Sequence, residues 1–183
     1  MRVAAIDCGT NSIRLLIADV KDKDGHLELK DRVREMRIVR LGQGVDATGW
    51  LAEAALARTF AAAEEYARLI TKHKVDAVRF VATSATRDAG NRQVFVDGIR
   101  SRLGVTPEVV SGDEEAALSF RGALNAAAGL TPDDRVLVVD LGGGSTECVL
   151  GSPDHVIAAR SVDVGCVRMT ERLSLIHISE PTR

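Results

Sequence analysis

A short motif that occurs twice constrains the fold of this chain more than any other feature. Positions 7–12 read DCGTNS and positions 140–145 read DLGGGS, so an Asp, a Gly and a Ser return at one offset of 133 residues. Each copy stands between two runs of β-branched and aliphatic residues, the pattern of antiparallel strands joined by a polar turn. The repeat predicts two lobes that each begin with the same β-hairpin, and we expect the functional site to lie between them.

The rest of the pattern alternates strands with helices, as in α/β proteins. Apolar residues at 56, 60, 63, 67 and 70 recur at helical spacing and predict an amphipathic helix over 51–74. Further strands are predicted over 26–40, 75–83, 107–110 and 156–162, and further helices over 91–103, over 112–129 and from Val167. We therefore expect residues 1–112 to form one complete lobe and residues 113–173 to begin a second.

Composition and charge exclude several classes of function. The 183 residues are 45% hydrophobic and 27% charged, which is typical of a folded domain. A formal net charge of -2 provides no basic field for nucleic acid or an anionic membrane, and 3% aromatic residues are too few for base stacking. Cys8, Cys148 and Cys166 lack the spacing of a zinc motif, and no segment has the pattern of a signal peptide or a membrane span. We expect a cytoplasmic protein with no nucleic-acid or membrane partner.

The repeated turn has the chemistry of a phosphate-binding loop. Glycine lets backbone N–H groups approach phosphate oxygens closely, and hydroxyl groups add further donors. The candidate phosphate-binding residues are Gly9, Thr10, Asn11, Ser12, Gly142, Gly143, Gly144, Ser145 and Thr146. Asp7 and Asp140, which end the preceding strands, offer hard oxygen ligands for Mg²⁺, as does Glu147 across the second hairpin. The alternative is a pair of structural hairpins whose Gly and Asn residues only supply positive φ angles.

Two further segments carry charges that phosphate chemistry needs. Asp113, Glu114 and Glu115 open the helix over 112–129, where acids commonly serve as caps and dipole partners. A carboxylate that is close to a bound phosphate and is not a metal ligand also activates water, so one of these acids is a candidate general base. Arg87 has two interpretations: its guanidinium group binds phosphate oxygens, or it forms a salt bridge with Asp88.

Four segments follow one another in an informative order. They read AIDCGTNSIRL over 5–15, TSATRD over 83–88, SGDEEA over 111–116 and VDLGGGSTE over 139–147. Together they resemble the exopolyphosphatase and guanosine-pentaphosphate phosphatase family, and the similarity continues to about residue 173. The resemblance implies an α/β fold of the actin-like, ribonuclease-H-like phosphotransferase class.

The resemblance also implies an activity and roles for individual residues. The implied activity is Mg²⁺-dependent hydrolysis of a terminal phosphoanhydride, in inorganic polyphosphate or in guanosine pentaphosphate (pppGpp), by proteins that are often homodimers. The implied general base is Glu115, the implied metal-associated acids are Asp140 and Glu147, and Arg87 is implied to lie near the leaving chain. Both Gly-rich turns match the family's phosphate loops.

The last ten residues, 174–183, do not resemble the family. We therefore expect the second lobe to be incomplete, with an apolar sheet face left uncovered. Two alternatives to hydrolysis stay open. One is a catalytically inactive fragment that binds phosphate or nucleotide, and the other is a kinase of the same superfamily, which would require ATP and an acceptor.

Overall fold

The computed structural model of the chain describes residues 1–23, 26–127 and 129–178. The chain divides into two compact units, Met1–Val109 and Val110–Arg183, so the predicted lobe boundary at residue 112 lies a few residues beyond this division. Of the predicted tail over 174–183, the backbone of 174–178 continues the last helix, and 179–183 lie outside the described residues.

The first unit consists of a five-stranded sheet and four helices among its described residues. Its elements in chain order are β1 (Arg2–Cys8), β2 (Ser12–Lys23), β3 (His26–Ile38), α1 (Val45–Thr48), α2 (Glu53–Lys72), β4 (Ala77–Ala82), α3 (Ser84–Asp88), α4 (Arg92–Leu103) and β5 (Glu108–Val109). The strands pair in the order β3-β2-β1-β4-β5. The first three are antiparallel neighbours, whereas β4 runs parallel to both β1 and β5.

Alternation along the first two strands builds the core of this unit. Ile6 and Cys8 of β1 and Ile13, Leu15 and Ile17 of β2 are buried, because residues two apart in a strand point to the same face. The predicted amphipathic helix over 51–74 is confirmed as α2. Its buried residues are Ala55, Leu56, Thr59, Ala62, Ala63 and Tyr66.

The pattern of the sequence predicts neither α1 nor α3. Both are too short to show a helical period, because α1 has four residues and α3 has five. The predicted strand over 75–83 ends earlier than expected, at Ala82, and α3 begins at Ser84. Arg87 therefore lies in a helical turn that follows the strand directly.

Tyr66 joins α2 to the first hairpin. Its side chain is fully buried, its hydroxyl donates to the backbone carbonyl of Ile13 at 2.9 Å, and burial raises the pKa of Tyr66 to about 12. Replacing Tyr66 by Phe removes this hydrogen bond, while Ile13 keeps its partner Arg37 on β3, so we expect the free energy of unfolding to fall by about 0.5–1.5 kcal/mol.

Urea denaturation of the full chain measures this effect. The control is Thr71→Ala, which removes a hydrogen bond of 3.0 Å to Ala67 on the exposed side of the same helix. We expect the control to change stability by less than about 0.5 kcal/mol, because exposed substitutions of this kind usually do. A Tyr66→Phe variant as stable as the control would contradict the prediction.

The second unit contains a three-stranded antiparallel sheet and two helices among its described residues. Its elements are α5 (Gly112–Ala126), β6 (Val136–Leu141), β7 (Thr146–Gly151), β8 (Val156–Val162) and α6 (Cys166–Ile178). The strands pair in the order β6-β7-β8, which repeats the β1-β2-β3 arrangement of the first unit. The second predicted hairpin is thereby confirmed, whereas the helix predicted over 112–129 ends at Ala126.

One face of this second sheet is covered by α5. Ala116 and Phe120 of the helix are buried together with Val149 of β7. On the opposite face, Leu137 and Leu141 of β6 are 64% and 66% exposed, which agrees with the expected uncovered apolar face. Among the helices in the described part of the chain, none is both long and apolar enough to span a bilayer.

Candidate functional site

The two Gly-rich turns are built around the same hydrogen bond. In the first, the N–H of Gly9 donates to the carbonyl of Ser12 at 3.0 Å, and in the second, the N–H of Gly142 donates to the carbonyl of Ser145 at 2.9 Å. Donors and acceptors therefore correspond at the offset of 133 residues that relates the two motifs. The repeat in the sequence is a repeat of backbone geometry.

In the first turn, the segment after β3 binds the loop through its carbonyl groups. Val39 and Arg40 donate their N–H groups to the carbonyl of Asn11 at 3.0 and 2.9 Å, and Gly42 donates to the carbonyl of Thr10 at 2.8 Å. Because the peptide unit is planar and trans, the N–H across each of these peptide bonds points the other way. The N–H groups of Asn11 and Ser12 are therefore directed away from the segment 39–42.

In the second turn, the start of α6 binds the carbonyl groups of the loop in the same way. Cys166 donates to the carbonyl of Gly142 at 3.0 Å, and Val167 and Arg168 donate to the carbonyl of Gly143 at 2.9 and 3.1 Å. The Nε of Arg168 also donates to the carbonyl of Gly144 at 2.9 Å. By the same peptide geometry, the three successive N–H groups of residues 143–145 are directed away from α6, as an anion-binding loop requires.

The hydroxyl groups of these loops have structural partners. Thr10 is buried, and its Oγ1 lies 2.8 Å from Oγ of Ser84 at the start of α3. Thr146 Oγ1 donates to the carbonyl of Val164 at 2.5 Å, and Ser145 is buried. The side chains of Thr10 and Thr146 thus hold the loops in shape, which favours the backbone N–H groups as candidate phosphate donors at these two positions.

Asp140 and Glu147 are directly opposite each other on β6 and β7, so their side chains lie on one face of the sheet. That face is the one that α5 covers. Asp140 is exposed, and its Oδ2 accepts a hydrogen bond of 2.5 Å from Ser119 of α5. Glu147 is buried, and its Oε1 accepts a hydrogen bond of 2.7 Å from Ser161 of β8.

The orientation of α5 separates its two neighbouring glutamates. Gly112 lies against Ser161 and Ser119 bonds to Asp140, so the helix face that bears these two residues lies on the sheet. At 100° per residue, Glu115 falls on the border of that face, whereas Glu114 lies on the opposite side of the helix. Glu115 is accordingly partly buried and Glu114 is exposed.

The helix begins at a side-chain cap. Ser111 is the N-cap residue, and its Oγ accepts a hydrogen bond of 3.2 Å from the backbone N–H of Glu114. Of the three acids at the helix start, Glu115 is partly buried, whereas Asp113 and Glu114 are exposed. The role of general base that the resemblance implies for Glu115 stays a prediction.

Comparison with known proteins decides the family. The profile of the Ppx/GppA phosphatase family matches residues 16–175. This chain belongs to that family. Exopolyphosphatase 2 of Mycobacterium tuberculosis is 56% identical over 188 aligned residues, which cover 99% of this chain and 57% of that protein.

Solved Ppx/GppA structures confirm the fold. An exopolyphosphatase from Cytophaga hutchinsonii has a TM-score of 0.85 at 32% identity and covers 94% of this chain and 53% of its own. The Aquifex aeolicus family member has a TM-score of 0.76 at 37% identity, with 93% and 54% covered. MreB5 of Spiroplasma citri, at 14% identity and a TM-score of 0.51, shares only the actin-like fold. The chain spans a little over half the length of its Ppx/GppA relatives.

The first unit of this Ppx/GppA chain carries the remaining predicted site residues. Asp7 is exposed on β1, opposite Arg14, and its Oδ2 lies 3.5 Å from Nη1 of Arg14. Arg87 is in the last turn of α3, and its Nε lies 4.0 Å from Oδ1 of Asp88. The structure thus contains the ion pair with Asp88 that was one of the two interpretations of Arg87, and a role of Arg87 in phosphate binding stays a prediction.

The carboxylates fit a Mg²⁺ ion that also binds phosphate. Among the residues that the structure describes, no three His, Cys, Asp or Glu side chains form a cluster that could enclose a metal. Mg²⁺ at phosphate sites needs no such cluster, because one or two carboxylates, water and phosphate oxygens complete its coordination. Asp140 and Glu147 meet that requirement within the second unit, whereas Asp7 belongs to the first.

Two site residues are missing from the sequence predictions. Ser119 and Ser161 each donate to one of the candidate metal-associated carboxylates. Ser119 lies seven residues after Gly112, which is about two helical turns. The helical period therefore places Ser119 on the same face of α5 as Gly112. Ser161 aligns with Glu147 only through the pairing of β7 with β8, and serine in a strand carries no pattern that reveals such a partner.

Proposed function

We propose that this chain contributes to Mg²⁺-dependent hydrolysis of a terminal phosphoanhydride and releases orthophosphate from inorganic polyphosphate. The observation that carries the proposal is the second unit, in which the turn over 142–146, the pair Asp140 and Glu147, and the helix face with Glu115 belong to one compact structure. Membership of the Ppx/GppA phosphatase family supports the reaction class. The similarity to a relative named exopolyphosphatase supports the substrate.

In the proposed reaction, backbone N–H groups of the turn over 142–146 hold the terminal phosphoryl oxygens. Glu115 accepts a proton from a water molecule, the water oxygen forms a bond to phosphorus, and the bridging P–O bond on the opposite side breaks. The electron pair of that bond leaves with the shortened polyphosphate. Asp140 and Glu147 would hold Mg²⁺, which when bound supplies charge neutralisation at phosphate oxygens. We assign Arg87 a similar electrostatic part at the leaving chain.

The same arrangement extends the proposal to pppGpp. Both substrates end in a phosphoanhydride, and the loops contact phosphate oxygens through backbone N–H groups that carry no information about a distant nucleoside. We therefore propose pppGpp as a second substrate. Homodimerisation, a cytoplasmic location and the lack of nucleic-acid or membrane partners stay predictions from the sequence.

Removal of the metal tests the proposed chemistry. We expect the full chain to release orthophosphate from polyphosphate in the presence of Mg²⁺, to lose this activity in excess EDTA, and to recover it when Mg²⁺ is added back, because removal of the cation takes away its neutralisation of the phosphate charge. A coupled assay of free orthophosphate measures the rate.

The controls separate the alternatives. Release that proceeds at an equal rate in EDTA would contradict the metal dependence. Phosphate transfer that requires ATP and an acceptor, without release from polyphosphate, would favour a kinase. Binding of polyphosphate with no release under any of these conditions would favour an inactive phosphate-binding fragment.

A further inference from the structure

One residue from each strand of the second sheet lies in a single row. Asp140 of β6 is the partner of Glu147 of β7, and Glu147 is the partner of Ser161 of β8. The three side chains therefore share the face that α5 covers. Within this row, Glu147 is the buried member, with 2% of its surface exposed. A carboxylate at such a position needs a hydrogen-bond donor, because burial removes its hydration.

Ser161 supplies that donor to one oxygen only. Its Oγ donates to Oε1 of Glu147 at 2.7 Å, and the residues that the structure describes give Oε2 no hydrogen-bond donor. Ser119 likewise donates to Oδ2 of Asp140 and leaves Oδ1 without a donor from the described residues. Each carboxylate in the row is thus held through one oxygen and keeps the other for a further partner.

The first residue of α5 keeps Ser161 in place. A Cβ atom on Gly112 would lie 2.8 Å from Cβ and 2.9 Å from Oγ of Ser161, closer than side-chain atoms pack. The helix start therefore rests directly on the Ser161 side chain, which restricts its motion. The same helix carries Glu115, so the contact of Gly112 with Ser161 couples the position of the candidate base to that of the carboxylate row.

We propose that Ser161 is a positioning residue for Glu147. It binds Oε1 and so presents Oε2 to a divalent cation. This inference rests on the proposed function, because it assumes that the row of Asp140 and Glu147 holds the cation. Ser161 itself touches neither cation nor substrate in this assignment and acts through the orientation of Glu147 alone.

The test measures binding of Mn²⁺, a paramagnetic substitute for Mg²⁺, by the loss of the free-ion EPR signal in titrations of the full chain. We expect Ser161→Ala to weaken Mn²⁺ binding by about tenfold or more, as loss of an outer-shell partner commonly does. Ser161→Thr keeps the hydroxyl and should bind Mn²⁺ more tightly than Ser161→Ala. Ser101→Ala is the matched control, since the Ser101 hydroxyl donates to the carbonyl of Gly98 on the exposed side of α4 in the first unit.

A double-mutant cycle separates positioning from a general loss of structure. If Ser161 acts through Glu147, then Ser161→Ala in a Glu147→Gln background weakens Mn²⁺ binding no further than Glu147→Gln alone. Effects that multiply in the double variant, or a Ser161→Ala affinity equal to the wild type, would overturn the role of Ser161. Thermal unfolding of each variant shows whether it is folded, and the cycle remains informative if Ser161→Ala is destabilised.

Failure of this inference is distinguishable from failure of the proposed function. A wild type that releases phosphate and binds Mn²⁺, with an unaffected Ser161→Ala variant, overturns only the positioning role. A wild type that neither binds Mn²⁺ nor releases phosphate from polyphosphate overturns the proposed function and this inference with it.

Discussion

Replacing Glu115 by Gln is expected to lower phosphate release from polyphosphate by roughly 10²- to 10⁴-fold, the usual contribution of a positioned general base. The amide has nearly the same shape as the carboxylate and can still hydrogen-bond to water, but it cannot accept the proton. The fall should therefore be in kcat, with KM for polyphosphate and the affinity for Mn²⁺ close to those of the wild type.

The neighbouring glutamate provides a matched control for Glu115. Glu114 is exposed and lies on the side of α5 away from the sheet, while its backbone N–H donates to Oγ of Ser111, the N-cap residue. Glu114→Gln makes the same chemical change one residue away and keeps that backbone bond, so we expect most of the activity to remain. Equal rates for Glu115→Gln and the wild type, or a loss confined to Glu114→Gln, would contradict the assignment of the base.

The structure distinguishes Glu114 from Glu115 because the helical period places them on different sides of α5. The composition of the motif does not distinguish them. In the sequence, residues 113–115 are three acids in a row, each suited to the positive end of a helix dipole. Their difference arises only when one face of α5 is fixed, and the contacts of Gly112 and Ser119 fix it. The resemblance to the family selects Glu115 from the sequence, and in the structure Glu115 is the one of the three acids that is partly buried.

Local patterns predicted most of the fold because the elements are long enough to show a period. The hairpin strands β1 and β2, the helix α2 and the second hairpin all follow from alternation or helical spacing. The five-residue helix α3 does not, and Arg87 therefore occupies a helical turn that the sequence pattern leaves unassigned. The partners Ser119 and Ser161 depend on strand register and on helix packing, neither of which is a local property.

The repeat in the sequence predicted two hairpins of the same kind. In the structure the correspondence extends to their backbone hydrogen bonds, since Gly9 and Gly142 each donate to the carbonyl three residues on. The donors that bind the loop carbonyls come from residues 39–42 in one unit and 166–168 in the other. These two segments have different sequences and different distances from their loops, so the repeat could not reveal them. The first segment contains Gly42 and the second follows Gly165, and each of these glycines lies against its loop.

Gly165 is the glycine at the second loop, and substituting it is expected to damage the site more than any other change in the α6 segment. A Cβ atom at Gly165 would overlap the carbonyl carbon and oxygen of Gly143 and would lie 2.5 Å from the nitrogen of Gly144. These are backbone atoms, so no side chain can rotate to relieve the contact, and the loop or the start of α6 must move. We expect Gly165→Ala to lower the free energy of unfolding by about 1–3 kcal/mol.

The displacement also moves the N–H groups that are proposed to bind phosphate. A shift of about 1 Å in such a group can cost about 100-fold in rate, so phosphate release by Gly165→Ala should fall by that order even where the protein remains folded. Gly122→Ala is the control, because Gly122 lies within α5, and a Cβ atom added there would meet no neighbouring atom within 4 Å. Alanine there should raise stability by about 0.5–1 kcal/mol. Urea denaturation and the orthophosphate assay measure both effects, and a Gly165→Ala variant as stable and as active as Gly122→Ala would show that the close contact between α6 and the loop is not needed.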